Sequence, residues 1–379
     1  HFWFNADNTL LDIADEFMEE NPDIVIDVKN TAVATHLSEL TTAIQTKETP
    51  DVFTMWPGVS IYPYYESDIL MDLSDCDFVD EVNASALNAS KIDGKVICAP
   101  VNTGYMGLAY NKTLFNSLDL SVPQNYSEFL TTLQTMKDNG ISDPLILGKD
   151  MLLNFGSIMF TTDIYSANPN WDQEVKAGTK YFYDDNAKEV WKRLLIDLPE
   201  AGYCNFDTGI NTDRMSKGAM AFLKGNAGYM QIGSWDISTL RELMKQPGAN
   251  SEIGFIPWPG QTNGGSVLQA SGEAFCLNAG IQGKQKQAAI KWLNYLMSDS
   301  VNRRICASID SESAKVSVSV PVDPLISNIK TYLGNGTHGY MVWPLQVQNN
   351  LKELGNVPSA PSKLSKLDEV LRSLDAMWR

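Results

Sequence analysis

Aromatic side chains stand in this chain where its loops should be. Trp56 follows the apolar run Val52-Phe53 and precedes Pro57-Gly58, Trp235 closes the strand-like Gly228–Gly233, and Trp343 precedes Pro344 after a glycine-rich stretch. Tyr105 lies in Pro100–Lys112, an apolar run loosened by Gly104 and Gly107. An indole offers a flat apolar face, and Asn5, Asp7 and Asp236, at loop positions of their own, offer hydrogen-bonding groups. Such a set suits a sugar ring, which has a C–H face to stack on and hydroxyls around it. Tryptophan is also a common core residue. Trp292, in a helical stripe with Ala288, Tyr295 and Leu296, is read as core, while Trp56, Trp235 and Trp343 are read as a binding site.

Tools for catalysis are sparse. The three histidines are His1, His36 at the start of a helix and His338 in a glycine loop. No HExxH, GxSxG or P-loop pattern occurs. Gly334–Gly339 matches GxGxxG, but it neither follows a strand of a βαβ unit nor opens a helix, as a nucleotide site requires. With 46 acidic residues, carboxylate pairs arise by chance, so their number is no evidence for a glycosidase-type pair. Neither a cofactor nor a metal site is expected.

The elements that must hold these residues alternate in type. Phe2–Phe4 reads as a strand, and Leu10, Ile13, Phe17 and Met18 recur at helical spacing up to Asn21-Pro22. Ile24–Val28 reads as a second strand, Leu37, Leu40 and Ile44 mark a helix, and Val52-Phe53 is a third strand. A βαβα order predicts a mostly parallel sheet flanked by helices, with ligands beyond the carboxyl ends of its strands. The loops 5–8 and 55–60 then lie on the functional rim. Pro100–Lys112 is read as a strand crossing from one lobe to another, because glycine inside a strand marks close approach to backbone or ligand. Ile253–Gly260 is a second candidate crossing and 305–311 a third. The chain ends in an amphipathic helix carrying Leu364, Leu367, Leu371 and Leu374.

At 379 residues the chain exceeds what one core supports, so two domains are expected. Its formal charge of −17 excludes a phosphate backbone as partner and disfavours an anionic membrane surface. No run of apolar residues is long enough for a spanning helix. The five cysteines show no CxxC and no zinc spacing. Cys98 and Cys276 fall in apolar strand-like runs and read as buried small hydrophobes; a single disulfide stays compatible with the count.

In order along the chain, four sets of residues resemble the extracellular solute-binding proteins of carbohydrate ABC transporters, family 1, the maltose-binding-protein-like group. They are Glu16-Phe17 with Asn21-Pro22-Asp23; Pro50-Asp51-Val52-Phe53 with a tyrosine-rich stretch and Leu73-Ser74; Asp93-Gly94-Lys95 through Pro100 to Gly107–Lys112 and Phe115; and Gly218-Ala219-Met220 with Gly233-Ser234-Trp235 and Ile256–Gly260. The resemblance implies an α/β, two-lobed periplasmic-binding-protein-like fold (type II). Each lobe is a mostly parallel sheet flanked by helices, joined by crossing hinge strands, with a ligand cleft between. The lobes are expected at 1–109 plus 262–306 and at 110–261 plus 307–379. In that family tryptophans at the places of Trp56, Trp235 and Trp343 line the cleft, Asn5 and Asp7 match the polar loop after the first strand, and Tyr105 falls in the crossing strand. Glu273, where the chain re-enters the first lobe, joins the expected ligand-binding set.

The activity so implied is non-catalytic binding of an oligosaccharide by a monomer, which delivers it to ABC permease subunits by hinge closure. The expected place is the bacterial cell surface, or the periplasm, with a lipid anchor in a leader ahead of His1. The lipobox cysteine of the family's precursors is not within the sequence. Two rivals fit the same residues. The fold could hold a peptide, a polyamine or a chelate, although a cation needs several carboxylates and only Asp7, Asp236 and Glu273 are placed for it. A surface glycoside-active enzyme is the other.

Overall fold

The computed structural model describes residues 1–3, 8–57, 61–148, 152–261, 264–332 and 350–377. In chain order the strands are β1 (Phe2–Trp3), β2 (Lys29–Asn30), β3 (Val52–Met55), β4 (Lys91–Ile92), β5 (Lys95–Val96), β6 (Ala99–Pro100), β7 (Asn102–Asn111), β8 (Leu145–Ile146), β9 (Tyr229–Gly233), β10 (Ile253–Ile256), β11 (Leu268–Ser271), β12 (Ala274–Leu277) and β13 (Glu312–Ser313). The chain divides into two compact units. The first comprises His1–Gly104 and Ala270–Val322; the second comprises Tyr105–Gln269 and the described residues from Asp323 on.

The first unit is built on a sheet in the order β2-β1-β3-β12-β6. β1 is parallel to β2 and β3, since the helices Thr9–Glu20 and His36–Gln45 return the chain to the same edge each time. β12 runs antiparallel to both β3 and β6, so four of the sheet's five strands run one way, as the alternating elements predicted, and β12 runs against them. The cause is topological: β12 is reached from the second unit and not through a helical crossover, which leaves its direction free. Successive residues of β12 face two cores. Phe275 and Leu277 join Trp3, Phe17 and Trp292, while Ala274 and Cys276 join Leu40, Phe53 and Cys98. Trp292 is a core residue of the helix Gly283–Leu296, as its stripe predicts. Ile24–Val28 is not a strand. Ile24, Ile26 and Val28 turn toward the first core, but ladder pairing begins only at Lys29, opposite Phe2.

In the second unit β7 runs antiparallel to β9 and β10, and β8 lies parallel to β9. Gly107 has no substitute here. A Cβ on it would stand 2.3 Å from Phe255 Cζ and 2.9 Å from the Ile256 carbonyl oxygen, across the β7–β10 ladder. The last helix, Lys363–Met377, buries Leu367, Leu371 and Leu374 and leaves Leu364 exposed.

The chain passes between units at 104/105, 269/270 and 322/323, not at the expected 109/110, 261/262 and 306/307. β10 lies within the second unit, so the second passage belongs to β11. Residues 307–322 stay with the first unit for three reasons. Glu312-Ser313 of β13 pairs with Thr103 and Asn102, and Val318 and Val320 enter the core. The buried Lys315 Nζ is held by Glu81 at 2.9 Å, Asp299 at 2.5 Å and the Met297 carbonyl at 2.7 Å.

Gly107→Val should destabilise the protein by about 1–3 kcal/mol, the usual range for overpacking, and adding Phe255→Ala should recover part of it. Urea unfolding checks this; an undiminished loss in the double variant would remove the Phe255 contact as the cause.

Candidate functional site

Trp56 stands one residue beyond β3, at the carboxyl edge of the first unit's sheet. β1 ends at that edge because it is parallel to β3, and β12 begins there because it is antiparallel. Ala274 pairs with Met55, which brings Glu273 opposite Trp56. The indole is half-buried and meets the His36 ring edge-on, with centroids 5.9 Å apart and planes at 88°. His36 is buried: Nε2 lies 2.7 Å from the Thr54 carbonyl oxygen and Nδ1 2.6 Å from Thr31 Oγ1. A carbonyl only accepts, so Nε2–H donates to it; the Thr31 hydroxyl has one proton for two acceptors, Nδ1 and the Trp3 carbonyl 3.0 Å away. Burial holds the His36 pKa below its ordinary value, with the Thr54 carbonyl and Glu39 pulling the other way. His36 does open its helix, as the sequence indicates, but its ring turns inward beneath Trp56. Nothing in the local sequence signals that support.

Glu273 is half-buried. Its N–H donates to Asn102 Oδ1 at 2.6 Å, and its carbonyl accepts from the Val101 N–H at 2.8 Å. The Cys306 thiol is pushed up to about 12, first by burial and then by the Glu273 carboxylate.

In the second unit β9 delivers Trp235 on a single turn, Ser234–Asp236. Met106 pairs with Gly233, and the Tyr105 N–H donates to Ser234 Oγ at 3.2 Å, so Tyr105 and Trp235 share that strand end. Tyr105 is buried and forms part of the support, not an open platform. Trp235 is 44% exposed, whereas Trp3, Trp191, Trp258 and Trp292 are fully buried. Its ring rests on Gly233, where a Cβ would stand 2.3 Å from Cε2 and Cζ2. Asp236 does not face outward as expected. Its Oδ2 accepts from Arg214 Nη1 at 2.8 Å and from the Gly233 N–H at 2.9 Å, and the same Nη1 donates to the Gln231 carbonyl at 3.0 Å. Both charged groups are buried, and this carboxylate closes the turn under Trp235. Arg214 begins a π turn, Arg214–Gly218, far from the motif it serves, and was missed for that reason.

Asn5, Asp7, Trp343 and the Gly334–Gly339 match lie outside the described residues. Among the described residues no group of three or more His, Cys, Asp or Glu is arranged to hold a metal ion, and no helix is long and apolar enough to cross a membrane. A hollow of about 600 Å³ lined by His1, Asp51, Lys284 and Trp292 lies where β1 and β3 begin, at the edge opposite Trp56.

Each of the two α/β units carries an indole just past a strand's carboxyl end, and the family match gives the class, solute-binding proteins. Residues 12–311 match the family of bacterial extracellular solute-binding proteins, and the chain belongs to it. The multiple sugar-binding protein of Streptococcus mutans is 25% identical over 301 residues, covering 76% of this chain and 68% of that protein. Among solved structures, the sugar-binding protein MalE of Xanthomonas citri is similar with a TM-score of 0.79 at 16% identity, over 100% of this chain and 96% of that one. A sugar transporter protein of Bacillus licheniformis in complex with stachyose is similar with a TM-score of 0.74 at 18% identity, over 100% and 99%. The fold is that of the two-lobed, maltose-binding-protein-like group.

Because folding lowers the His36 pKa, its neutral ring supports the fold fully above about pH 6.5, and that support is lost as pH falls toward the lowered value. The protein should lose more stability than His36→Gln between about pH 7 and about pH 5. Urea midpoints read this, and superimposable pH profiles would count against it. Gly233→Ala should shift tryptophan emission by displacing the Trp235 ring; the same change made on Trp235→Leu should leave emission where it was.

Proposed function

We propose that this chain is a non-catalytic receptor that binds an oligosaccharide and hands it to the permease subunits of an ABC transporter. The observation that carries the proposal is Trp235, an indole backed by a glycine and still 44% exposed at a strand end. A pyranose C–H face stacks on such a surface. Trp56 gives the first unit a second aromatic edge, and two platforms suit more than one sugar ring. The sugar-binding relatives support the same ligand class. Glu273, next to the Ala274 that pairs with Met55, joins Asn5, Asp7 and Trp343 in the proposed set.

The Arg214–Asp236 pair bears on both rivals. It neutralises one of the three carboxylates that a polyamine would need, and it holds Asp236 buried in a pair with Arg214. The family places the protein outside the bacterial membrane. A lipid anchor and a monomeric state belong to the proposal.

Tryptophan fluorescence and melting curves across neutral oligosaccharides of different linkage should show a saturable shift for one linkage class. Trp235→Ala should weaken that binding by about 1–3 kcal/mol, roughly five- to 150-fold. Unchanged affinity in Trp235→Ala would remove the stacking assignment. Competition by spermidine with no response to any sugar would point to the cationic ligand, and steady release of shorter sugars would point to the enzyme.

A further inference from the structure

Cys98 and Cys276 are fully buried in one core of the first unit, on the face of the sheet shared by Leu40 and Phe53. The β6–β12 ladder brings them near each other. Ala274 pairs with Pro100 and Phe275 with Ala99, and Cys276 and Cys98 are the next residues beyond that pairing, in one core. The kind of pairing follows from Pro100. Proline has no N–H, so Pro100–Ala274 is a non-hydrogen-bonded pair, and the Val101 N–H bond to the Glu273 carbonyl has the matching phase. The two kinds of pair alternate. Carried one residue further, the alternation would put Cys98 and Cys276 at a non-hydrogen-bonded position, the kind with Cα atoms about 4.5 Å apart. Disulfides span Cα separations of about 4.4–6.8 Å. Cys98 is close enough to Cys276 to help raise the pKa of its thiol. Cys204 belongs to the second unit, and Cys306 and Cys76 pack on the other core.

We propose that Cys98 and Cys276 become joined as a cross-strand disulfide when the chain folds in the oxidising compartment to which its family is exported. Two S–H bonds break and one S–S bond forms. The two protons and two electrons pass to an external disulfide of the glutathione class, which leaves as two thiols. Timing follows from burial. In the folded protein the Cys276 thiol is pushed well up by burial and by Cys98 beside it, so thiolate is scarce and no dissolved oxidant reaches it. The bond therefore forms before β12 docks against β6. β6 leads into β7, and β11 leads into β12, so the bridge ties together the first-unit roots of two passages. It closes a loop containing residues 105–269 of the second unit.

The test refolds the full chain from denaturant in an oxidised and reduced glutathione mixture, blocks free thiols with iodoacetamide in denaturant, and maps peptides by mass without reduction. The expected result is one linked peptide pair containing Cys98 and Cys276, alkylation at Cys76, Cys204 and Cys306, and a urea midpoint above that of protein refolded with dithiothreitol. The folded, reduced protein in the same mixture should keep both thiols over the refolding time. Alkylation at all five cysteines after oxidative refolding, or a bridge to any other cysteine, would overturn the proposal. A variant with Cys76→Ala, Cys204→Ala and Cys306→Ala gives an independent reading: an intramolecular bridge supports it, and disulfide-linked dimers alone overturn it.

Discussion

A strand as long and as deeply buried as β7 must find hydrogen-bond partners along its backbone, and much of the structure answers that demand. Every residue from Asn102 to Asn111 is buried except the half-buried Tyr110. A buried N–H or C=O left unpaired costs about 1–3 kcal/mol. β7 meets β13 at Asn102 and Thr103, β9 from Met106 to Tyr110 and β10 from Leu108 to Asn111. Because the strand passes from one unit into the other, both units take a ladder from one backbone. Gly107 is the steric condition for this, since Phe255 fills the space a side chain would need.

The two aromatic edges rest on buried polar groups. Beneath Trp56 a neutral histidine bridges Thr31 and Thr54; beneath Trp235 an arginine–aspartate pair bridges the Gln231 carbonyl and the Gly233 N–H. Burying an ion pair carries a desolvation cost that its own attraction often fails to offset. Here the pair also satisfies backbone groups at the end of β9, which a hydrophobic replacement would leave bare. A similar device joins two π turns of the second unit, where Arg193 Nη2 donates to Asp163 at 2.7 Å. Rigid supports of this kind hold the indole in place, so little ordering entropy remains to be lost at that edge.

The parts legible in the sequence were those with a local cause. Trp56 and Trp235 follow short apolar strands, and side chains just past a strand's end lie on the sheet's edge in any α/β unit. Trp292 could be assigned to a core from its helical stripe. Asp236 could not be judged in the same way, because its partner Arg214 is distant in sequence and comes close only when a π turn packs beside β9. The third passage was misplaced because Lys315 is an ordinary lysine until Glu81, Asp299 and the Met297 carbonyl surround it. Ile24–Val28 has the alternation of a strand but meets β1's chain only at its end, where Asp27 and Lys29 bond His1, and no pattern within one segment reports on its neighbour.

By itself the sequence determined the class of fold, the presence of two units and the family, because these rest on periodicity, punctuation and the order of motifs along the chain. Tertiary structure alone decided which strands run antiparallel, where the chain leaves each unit, and which described candidate side chains are buried. Those outcomes depend on pairings between residues far apart in the sequence. A carboxylate's role is set by what stands within a few ångströms of it, and only the packed chain brings Arg214 to Asp236 or sets Cys98 against Cys276.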